Sequence, residues 1–438
     1  MKPGHFRAAG VAVIFAVTLW AAWPGLHSES APGFVPPSAA VRAPSDEPPQ
    51  FFSSLISGTH SPDVHAASLA ERPDGHLFAV WFGGTREGSA DVRIYGAEGV
   101  PDANGNTLWS KPLSIVSREE TGEGQGRWLR KLGNPVVFAD ARHRLGMVYV
   151  SAAVGGWACS QLNLLRPSDA DIPPASRRLV TSPFFNMGTL VKGAPVFFDN
   201  GDIALPIYHE LAGKFAELLV LTPEGEVRRK IRMDYGRRTL QPVLLVEDAT
   251  HAIALMRDAD SHPPRVWRSE TRNAGRDWSV PESTDLHNPN SALTAVRLDD
   301  GRLLAVANDV EDERLRLSLL VSQDRSHHWR AIHRFEDRQA QLGVNPDEAA
   351  FRAQLALDIA ALGADHARPA TEDIIANVTR SLCRKGVCNW RYDYPYLIRS
   401  ADGDFHLVYS WNVSFIRYIR FNAAWLRERL GERPGDAS

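Results

Sequence analysis

A short pattern occurs six times in this chain of 438 residues, and this repetition restricts the fold more than any other feature of the sequence. Most copies begin with a polar residue followed by a small residue or proline. An apolar strand comes next, then a turn at Asp-Gly or a related pair, then a second apolar strand. The copies begin at His65, Asn134, Gly193, Gln241, Asn290 and Tyr394. Repeated strand pairs at intervals of about fifty residues are typical of propeller blades. The sequence therefore predicts an all-β protein, a six-bladed β-propeller of four-stranded antiparallel blades.

The two ends of the propeller and one long interval complete the predicted organisation. The last copy has too little chain after it for an outer strand, which the segment 51–56 could supply, closing the ring. The interval between copies five and six is much longer than the others, and Phe351, Leu355 and Ile359 recur there at helical spacing. We expect a propeller over 51–425, with a small helical insertion over 336–380 that forms either a wall over one face or a structural brace. Residues 426–438 would form a C-terminal tail.

The N-terminal region has the composition of an export signal. Lys2 and Arg7 precede an apolar run from Ala8 to Trp23, and small residues follow at Ser28–Ala31. Residues 1–30 are therefore predicted to be a signal peptide of an exported, periplasmic or secreted protein, with an uncleaved membrane anchor as the alternative. Residues 31–50 are rich in proline, alanine and serine, which predicts a flexible linker.

Charge and cysteine content exclude several classes of partner. The formal net charge is −3, which gives no general attraction to nucleic acid or to an anionic membrane. No spacing of cysteine and histidine resembles a zinc site, so neither a metal nor another cofactor is expected. Cys383 and Cys388 could close a small disulfide loop in an exported protein, which leaves Cys159 unpaired and predicted to be buried. The sequence leaves the oligomeric state and any structural calcium open.

The repeat also predicts where a functional site lies. In a hairpin, the start of the first strand adjoins the end of the second, so every copy brings these two positions to the same face of the propeller. The polar or aromatic residues at these positions are His65, Asn134, Glu210, Gln241, Arg257, Asn290, Tyr394 and Trp411. Such a mixture suits a hydroxylated or anionic sugar, with rings for stacking and fixed donors for hydroxyl groups. The alternative is that these side chains only cap strand ends.

Two segments carry a resemblance to a known family. Residues 271–278, Thr-Arg-Asn-Ala-Gly-Arg-Asp-Trp, fit the Asp-box pattern, and residues 322–329 fit it with Ser326 in place of the glycine. A third, degraded copy ends near Trp109. We expect the Asp or Asn side chain to bind turn amides while the Trp packs between strands, a structural role. Asp boxes on a six-bladed pattern resemble the sialidase superfamily, and the resemblance covers roughly residues 51 to 425.

The resemblance implies a tyrosine nucleophile with a glutamate partner, an acid/base aspartate and three arginines that hold the substrate carboxylate. Tyr394, in Tyr-Pro-Tyr-Leu before the Asp402-Gly403 turn, resembles the nucleophile. Arg257 resembles the second arginine, with Arg265 as a fallback, and Arg314 resembles the third.

This chain departs from the family pattern at two positions. His65 stands where the first arginine is expected, and Gln241 stands where the glutamate partner of the tyrosine is expected. An amide cannot accept the phenol proton as a carboxylate does. Glu210 or Asp258 could replace that carboxylate.

The segment after the first hairpin supplies the remaining candidates. Residues 82–88, Phe-Gly-Gly-Thr-Arg-Glu-Gly, resemble a motif of a divergent bacterial branch of these propellers. Glu87 and Asp91 are both placed to act as the acid/base residue, and Arg86 could replace the missing first arginine.

The sequence therefore favours an exported, retaining exo-glycosidase that binds a carbohydrate or glycoconjugate and hydrolyses a terminal acidic sugar such as sialic acid. A non-catalytic glycan-binding propeller and a glycosidase for another acidic sugar, such as a uronic acid, are the alternatives.

Overall fold

The computed structural model describes residues 32–37, 47–57, 61–103, 105–140, 142–166, 175–183, 186–236, 238–260, 264–338, 343, 345–362 and 370–432. Within these ranges the chain forms six antiparallel sheets around one axis, which confirms the predicted six-bladed propeller. The predicted signal or anchor segment lies outside the described residues. No helix in the described ranges has the length and apolar character needed to cross a membrane.

Each blade is an antiparallel sheet whose first strand lies nearest the axis. Blade one contains Asp63–Glu71, Leu77–Gly84, Arg93–Pro101, Thr107–Trp109 and Leu113–Ser117. Blade two contains Lys131–Ala139, Leu145–Ala152, Ser160–Arg166 and Ala175–Arg178. Blade three contains Thr189–Val191, Val196–Phe197, Ile203–His209, Phe215–Leu221 and Val227–Arg232. Blade four contains Thr239–Val246, Ala252–Asp258, Arg265–Thr271 and Glu282–His287. Blade five contains Thr294–Arg297, Leu303–Ala307, Arg316–Ser322 and Arg330–Asp337.

Blade six closes the ring with strands from both ends of the chain. Its inner strand is Tyr392–Arg399, followed outward by Phe405–Trp411 and Phe415–Phe421, and its outer strand is Phe51–Leu55. Phe51 pairs with Phe421 and Leu55 with Arg417, so the predicted closure is confirmed. Closure leaves no open edge between the first and last blades, and an open edge would invite pairing with another chain.

A backbone irregularity recurs on the inner strands. Ala66, Asn134, Gln241, Asn290 and Tyr394 all have positive φ angles, between 42° and 54°. Register shifts accompany this conformation in blades one, two, four and six, as in a β-bulge. A left-handed residue costs free energy for any side chain except glycine, so its repetition indicates a position that the fold demands.

This conformation corrects the predicted alignment of two copies. The residue of blade one equivalent to Tyr394 is Ala66, not His65, because Ala66 is the left-handed residue there. Gly193 in blade three is not left-handed, and a Cβ atom on it would lie 2.3 Å from the Pro242 carbonyl oxygen. Blade three therefore places no side chain at this point of the axis.

The insertion between blades five and six is helical, as predicted, and it packs against the propeller. Helix α2, Glu348–Ala360, is capped by Asp347, whose side chain accepts a hydrogen bond from the Ala350 amide. Helix α3 of the insertion is Thr371–Leu382. Helix α1, Arg118–Gly124, lies outside the insertion, earlier in the chain, where it joins blades one and two. The insertion buries a row of apolar side chains against the side of blades five and six: Phe351, Leu355, Ile359, Ile374 and Val378. It therefore braces the outer wall of the propeller.

The C-terminal boundary differs from the prediction. Helix α4 is Ala423–Leu430, and it crosses the predicted limit between propeller and tail. Trp425 and Leu426 are both buried in the core of blades five and six. The propeller unit therefore includes this helix, because its apolar side chains cover the closing blade.

The predicted flexible linker is also corrected in part. Phe34 is 2% exposed, stacks on Phe198 with ring centroids 4.9 Å apart, and donates its amide proton to the Ala249 carbonyl. The Val35 amide donates to the Phe197 carbonyl. These contacts anchor residues 33–35 between blades three and four, on the face that carries the Asp-Gly turns. Composition predicted a linker here because one buried aromatic ring does not alter an otherwise Pro-rich segment.

The Asp boxes have the expected structural role. Asn273 accepts hydrogen bonds from the amides of Arg276 and Asp277, and Trp278 is buried. In the second box Ser326 has a φ of 76°, close to the 74° of Gly275. The serine therefore adopts the conformation that glycine normally supplies in this turn.

The cysteines are arranged almost as predicted. Cys383 and Cys388 form a disulfide across a two-residue hairpin turn. Cys159 is free but half-buried rather than buried, because it lies in a short 3₁₀ turn, Trp157–Cys159, on a surface loop of blade two.

Candidate active site

Tyr394 lies at the centre of a charged cluster on the face opposite the Asp-Gly turns. Its ring packs beside the His65 ring, with centroids 5.1 Å apart. Asp393, the preceding residue, is fully buried and accepts hydrogen bonds from Arg314, at 2.6 Å, and from Arg391. Burial opposes the charge of Asp393, but these two arginines hold its pKa at about 2. The inner strand of blade six thus presents a phenol beside a fixed ion cluster.

Asn290 connects the two arginines that the sequence singled out. Its side-chain oxygen accepts a hydrogen bond from Arg257 Nε at 2.7 Å, and its backbone carbonyl accepts one from Arg314 Nη2 at 2.7 Å. Arg314 is mostly buried, yet Asp393 and then Tyr394 raise its pKa against the effect of burial. The left-handed conformation of Asn290 thus places both guanidinium groups on one side of the axis.

Gln241 is part of a hydrogen-bonded chain and, among the described residues, forms no hydrogen bond with a carboxylate. Arg257 Nη1 donates to Gln241 Oε1 at 2.9 Å, and Gln241 Nε2 donates to the Tyr208 hydroxyl oxygen at 3.4 Å. Asn134 Nδ2 donates to the same hydroxyl oxygen at 3.0 Å. Asn134 of blade two and Gln241 of blade four therefore both donate to Tyr208 of blade three, and Arg257 orients Gln241.

Glu87 faces the same cluster from the loop that follows the first hairpin. Its backbone amide donates to Asp63 Oδ2 at 2.9 Å, and its Oε1 accepts a hydrogen bond from Trp157 Nε1 at 2.9 Å. Its other carboxylate oxygen is 3.8 Å from His65 Nε2, and the side chain is 39% exposed. Glu87 is therefore held in place yet open to a ligand, and His65 lies in contact range of both Glu87 and Tyr394.

A lysine also lies beside Glu87. Lys131 is buried, and its Nζ is 3.7 Å from the centroid of the Trp157 ring. Burial lowers the pKa of Lys131, and the charges of Glu87 and Glu210 oppose that effect. Glu210 is therefore close enough to the cluster to influence its protonation.

Three predicted residues lie outside this arrangement. Asp91 is exposed, and it accepts hydrogen bonds from the Thr85 amide and hydroxyl group. Burial acts to raise the pKa of Asp91, but these bonds outweigh it and lower the pKa. Arg86 is exposed on the same loop, and Trp411 is fully buried in the core of blades five and six.

Asp258, the alternative base, is also separated from the cluster by its contacts. Its Oδ1 accepts a hydrogen bond from the Asp260 amide, as in a turn cap. Arg265, the fallback for Arg257, donates to the Asp285 carbonyl instead. Of the predicted residues, the structure therefore brings together His65, Glu87, Asn134, Gln241, Arg257, Asn290, Arg314 and Tyr394, with Glu210 nearby.

Sequence reasoning missed several members of the site. Tyr208 and Asp393 stand one or two positions from residues that the repeat did identify, Glu210 and Tyr394. Arg391 precedes the inner strand of blade six and lay outside the repeated pattern. Trp157 comes from a loop between the second and third strands of blade two, and the repeat carries no information about such loops.

Metal-binding geometry is limited within the described ranges. A group of Asp74, His76 and Glu98 could approach one ion, but it lies on the turn face, with Asp74 exposed and His76 and Glu98 half-buried. Arg72 already forms ion pairs with Asp74 and Glu98.

The fold and this arrangement define a six-bladed β-propeller with arginines, a carboxylate and a tyrosine on one face. The model of the BNR repeat-like domain matches residues 75–407, and the chain belongs to this family. A search of curated protein sequences finds no match.

Solved structures share the fold at low sequence identity. A Hadza microbial sialidase has a TM-score of 0.58 at 14% identity, covering 84% of this chain and 67% of that one. A Dyadobacter fermentans protein of unknown function has a TM-score of 0.58 at 12% identity, covering 85% and 98%. The leech intramolecular trans-sialidase has a TM-score of 0.57 at 9% identity, covering 89% and 71%. At these identities the likeness concerns the fold.

Proposed function

We propose that this protein is an exported glycosidase of sialidase type, which hydrolyses a terminal acidic sugar with retention of configuration. The observation that carries the proposal is the convergence of Tyr394, Arg257, Arg314 and Glu87 on one face of the propeller. His65 links two of them, since it contacts the Tyr394 ring and lies 3.8 Å from Glu87. Asn290 links the two arginines.

The positive charge of the cluster fits a substrate carboxylate. Arg257 and Arg314 stand side by side on Asn290, and Arg391, 43% exposed, adds a third guanidinium on the same strand end as Asp393. Arginine is suited to this task because its planar fork of donors matches a carboxylate. The cluster therefore favours an acidic sugar, for which sialic acid and a uronic acid are the candidates.

In the first chemical step, Tyr394 Oη forms a bond to the anomeric carbon while the bond to the leaving oxygen breaks. Glu87 gives its proton to the leaving oxygen, and the Tyr394 proton passes to a carboxylate, for which we propose Glu210. A neutral phenol can approach an anomeric carbon that bears a carboxylate without the repulsion that a second carboxylate would meet.

In the second step, Glu87 takes a proton from water as the water oxygen bonds to the anomeric carbon. The bond to Tyr394 breaks, and the proton held by Glu210 returns to the Tyr394 oxygen. The protein is thereby restored, and two displacements at one carbon retain its configuration.

The test is turnover of an aryl α-sialoside and an aryl uronide by the purified protein and by the Tyr394→Phe variant. We expect the variant to lose at least about a thousandfold in kcat, since the nucleophile is removed. Tyr235→Phe, at a half-exposed tyrosine outside the cluster, is the matched control and should retain activity. Equal turnover by wild type and Tyr394→Phe would contradict the mechanism.

Gln241 favours a second candidate, a glycan-binding propeller without hydrolysis. Its amide stands where a glutamate would accept the phenol proton, and it is already bonded to Arg257 and Tyr208. Binding of acidic glycans on an array, with no release of product from any of them, would support this candidate over the glycosidase.

A further inference from the structure

Tyr208 is a second phenol at the site, and nothing in the repeat pattern predicted it. It belongs to the second strand of blade three, Ile203–His209, and is 2% exposed. Blade three has glycine at position 193, where the other five blades place a left-handed residue with a side chain. The ring of Tyr208 is therefore the group that blade three directs toward its neighbours, Asn134 of blade two and Gln241 of blade four.

The hydrogen bonds of Tyr208 use its hydroxyl oxygen as an acceptor but do not use its hydroxyl hydrogen as a donor. Its oxygen accepts from Asn134 Nδ2 and from Gln241 Nε2, which occupies both lone pairs of a phenol oxygen. The orientation of Gln241 follows from Arg257, because a guanidinium only donates and so must face the amide oxygen. With the Asn134 amide oriented so that Nδ2 faces Tyr208, the Tyr208 hydroxyl hydrogen points away from both amides. Among the described residues no acceptor lies within hydrogen-bonding distance of it other than these two amide-bearing side chains.

The surroundings keep this hydroxyl group protonated. Burial raises the pKa of Tyr208, and the nearby Tyr394 and Glu210 raise it further. At neutral pH the group is therefore a fixed, neutral donor. Buried donors in folded proteins nearly always find an acceptor, so this hydrogen is available to a ligand atom that enters the site.

We propose that Tyr208 donates a hydrogen bond to the carboxylate of the bound acidic sugar and so helps to select an acidic substrate. The proposal rests on the proposed function. Arg257 supports it, because its hydrogen bonds to Gln241 and Asn290 use Nη1 and Nε, and within the described part of the chain Nη2 is left for the same ligand group. The first arginine of the sialidase pattern would lie on blade one, where this chain has His65 and Ala66. The neutral Tyr208 hydroxyl, held by Asn134 and Gln241, would take over part of the role of that arginine.

The experiment compares two probes, the 2,3-didehydro analogue of N-acetylneuraminic acid and its methyl ester, by calorimetry or ligand-observed NMR. In Tyr208→Phe we expect the acid to bind about tenfold more weakly, because a hydrogen bond to a charged group is lost, while binding of the ester changes little. Gln241→Glu should also weaken binding of the acid, since the new carboxylate attracts the Tyr208 proton and repels the ligand.

Tyr149→Phe is the matched control, because Tyr149 is a buried tyrosine of blade two whose hydroxyl group bonds to Thr121 and Ser176. It should bind both probes as the wild type does. Equal weakening of acid and ester in Tyr208→Phe, or unchanged binding of the acid, would overturn the proposal for Tyr208. Failure of the wild type to bind the acid at all would instead overturn the proposed function.

Discussion

Arg314 donates a hydrogen bond from Nη1 to Asp393 Oδ1 at 2.6 Å, which joins blade five to blade six directly beside Tyr394. The carboxylate is fully buried and the guanidinium largely so. A buried pair of this kind orients its members more than it stabilises the fold, but removal of one member leaves the other charge unpaired. The pair therefore fixes the direction of an arginine that we propose to bind substrate.

The first prediction concerns Asp393→Asn. At pH 7 we expect a loss of roughly 3 kcal/mol in the free energy of unfolding, because Arg314 and Arg391 lose their common carboxylate. The folded pKa of Asp393, about 2, is below its ordinary value of 3.8, so its contribution is complete above about pH 4 and declines as the pH falls toward 2. Urea denaturation of both proteins across this range measures the difference. Asp299→Asn, at an exposed pair with Arg399, should cost less than about 1 kcal/mol.

The second prediction concerns Lys192, whose Nζ crosses the axis to donate to the Pro395 carbonyl at 3.0 Å. Burial lowers the pKa of Lys192 from 10.5 to about 7. The buried charge therefore destabilises the folded state by its full amount below pH 7, and this destabilisation disappears as the pH rises toward 10.5. Lys192→Met should therefore be more favourable to stability at pH 6 than at pH 9, by roughly 2 kcal/mol.

The same variant should lower the turnover, because the residue after Tyr394 loses its tether from the opposite side of the propeller. Thermal and urea unfolding at the two pH values, together with kcat, test both parts. Lys111→Met, on the surface, serves as the control. A stability difference that is the same at pH 6 and pH 9 would show that Lys192 is not buried as a cation.

The third prediction separates Glu87 from Asp91. Glu87→Gln should reduce kcat on a substrate with a poor leaving group by about a hundredfold or more, with a smaller loss on an aryl glycoside that needs less protonation. Asp91→Asn removes only acceptors for Thr85 and should affect the two substrates equally. Steady-state kinetics on both substrates provide the measurement. A substrate-dependent loss in Asp91→Asn, with none in Glu87→Gln, would reverse the assignment of the acid.

The fourth prediction concerns the N-terminal anchor at Phe34. Phe34→Ala should lower the free energy of unfolding by about 3 kcal/mol, because a buried ring stacked on Phe198 is lost. Val35→Ala, at a half-exposed neighbour, should cost little. If chemical denaturation gives Phe34→Ala the stability of the wild type, residues 33–35 do not contribute to the fold in solution.

Much of the fold could be predicted from the sequence because blades are local units. Each hairpin combines strand alternation with a turn of known chemistry, and the Asp boxes repeat a local turn, so neighbouring residues contain the needed information. The segment 51–56 could be assigned to blade six because a propeller requires closure. The left-handed position was harder to predict from the sequence. In blade one it falls on Ala66, whose small apolar side chain gives no indication of such a conformation.

The site was predictable where the repeat or the family resemblance reaches it, as the resemblance does for Arg314 and Glu87. Tyr394, Gln241 and Asn290 occupy equivalent positions, and so one pattern found all three. Tyr208 and Trp157 were missed because their positions depend on which side chains and loops turn toward the axis, and contacts between distant blades decide this. Likewise the sequence does not rank Glu87 and Asp91, and tertiary contacts distinguish them: Asp91 bonds to Thr85, whereas Glu87 bonds to Trp157 and lies beside His65.

The sequence by itself determined the number of blades, their closure and the face on which polar residues gather, since strand period and turn chemistry act over a few residues. Only the tertiary structure decided which of those residues meet, which carboxylate faces Tyr394, and that Phe34 belongs to the folded unit. These relationships join residues hundreds of positions apart, such as His65 and Ser410, and packing around a closed ring brings them together.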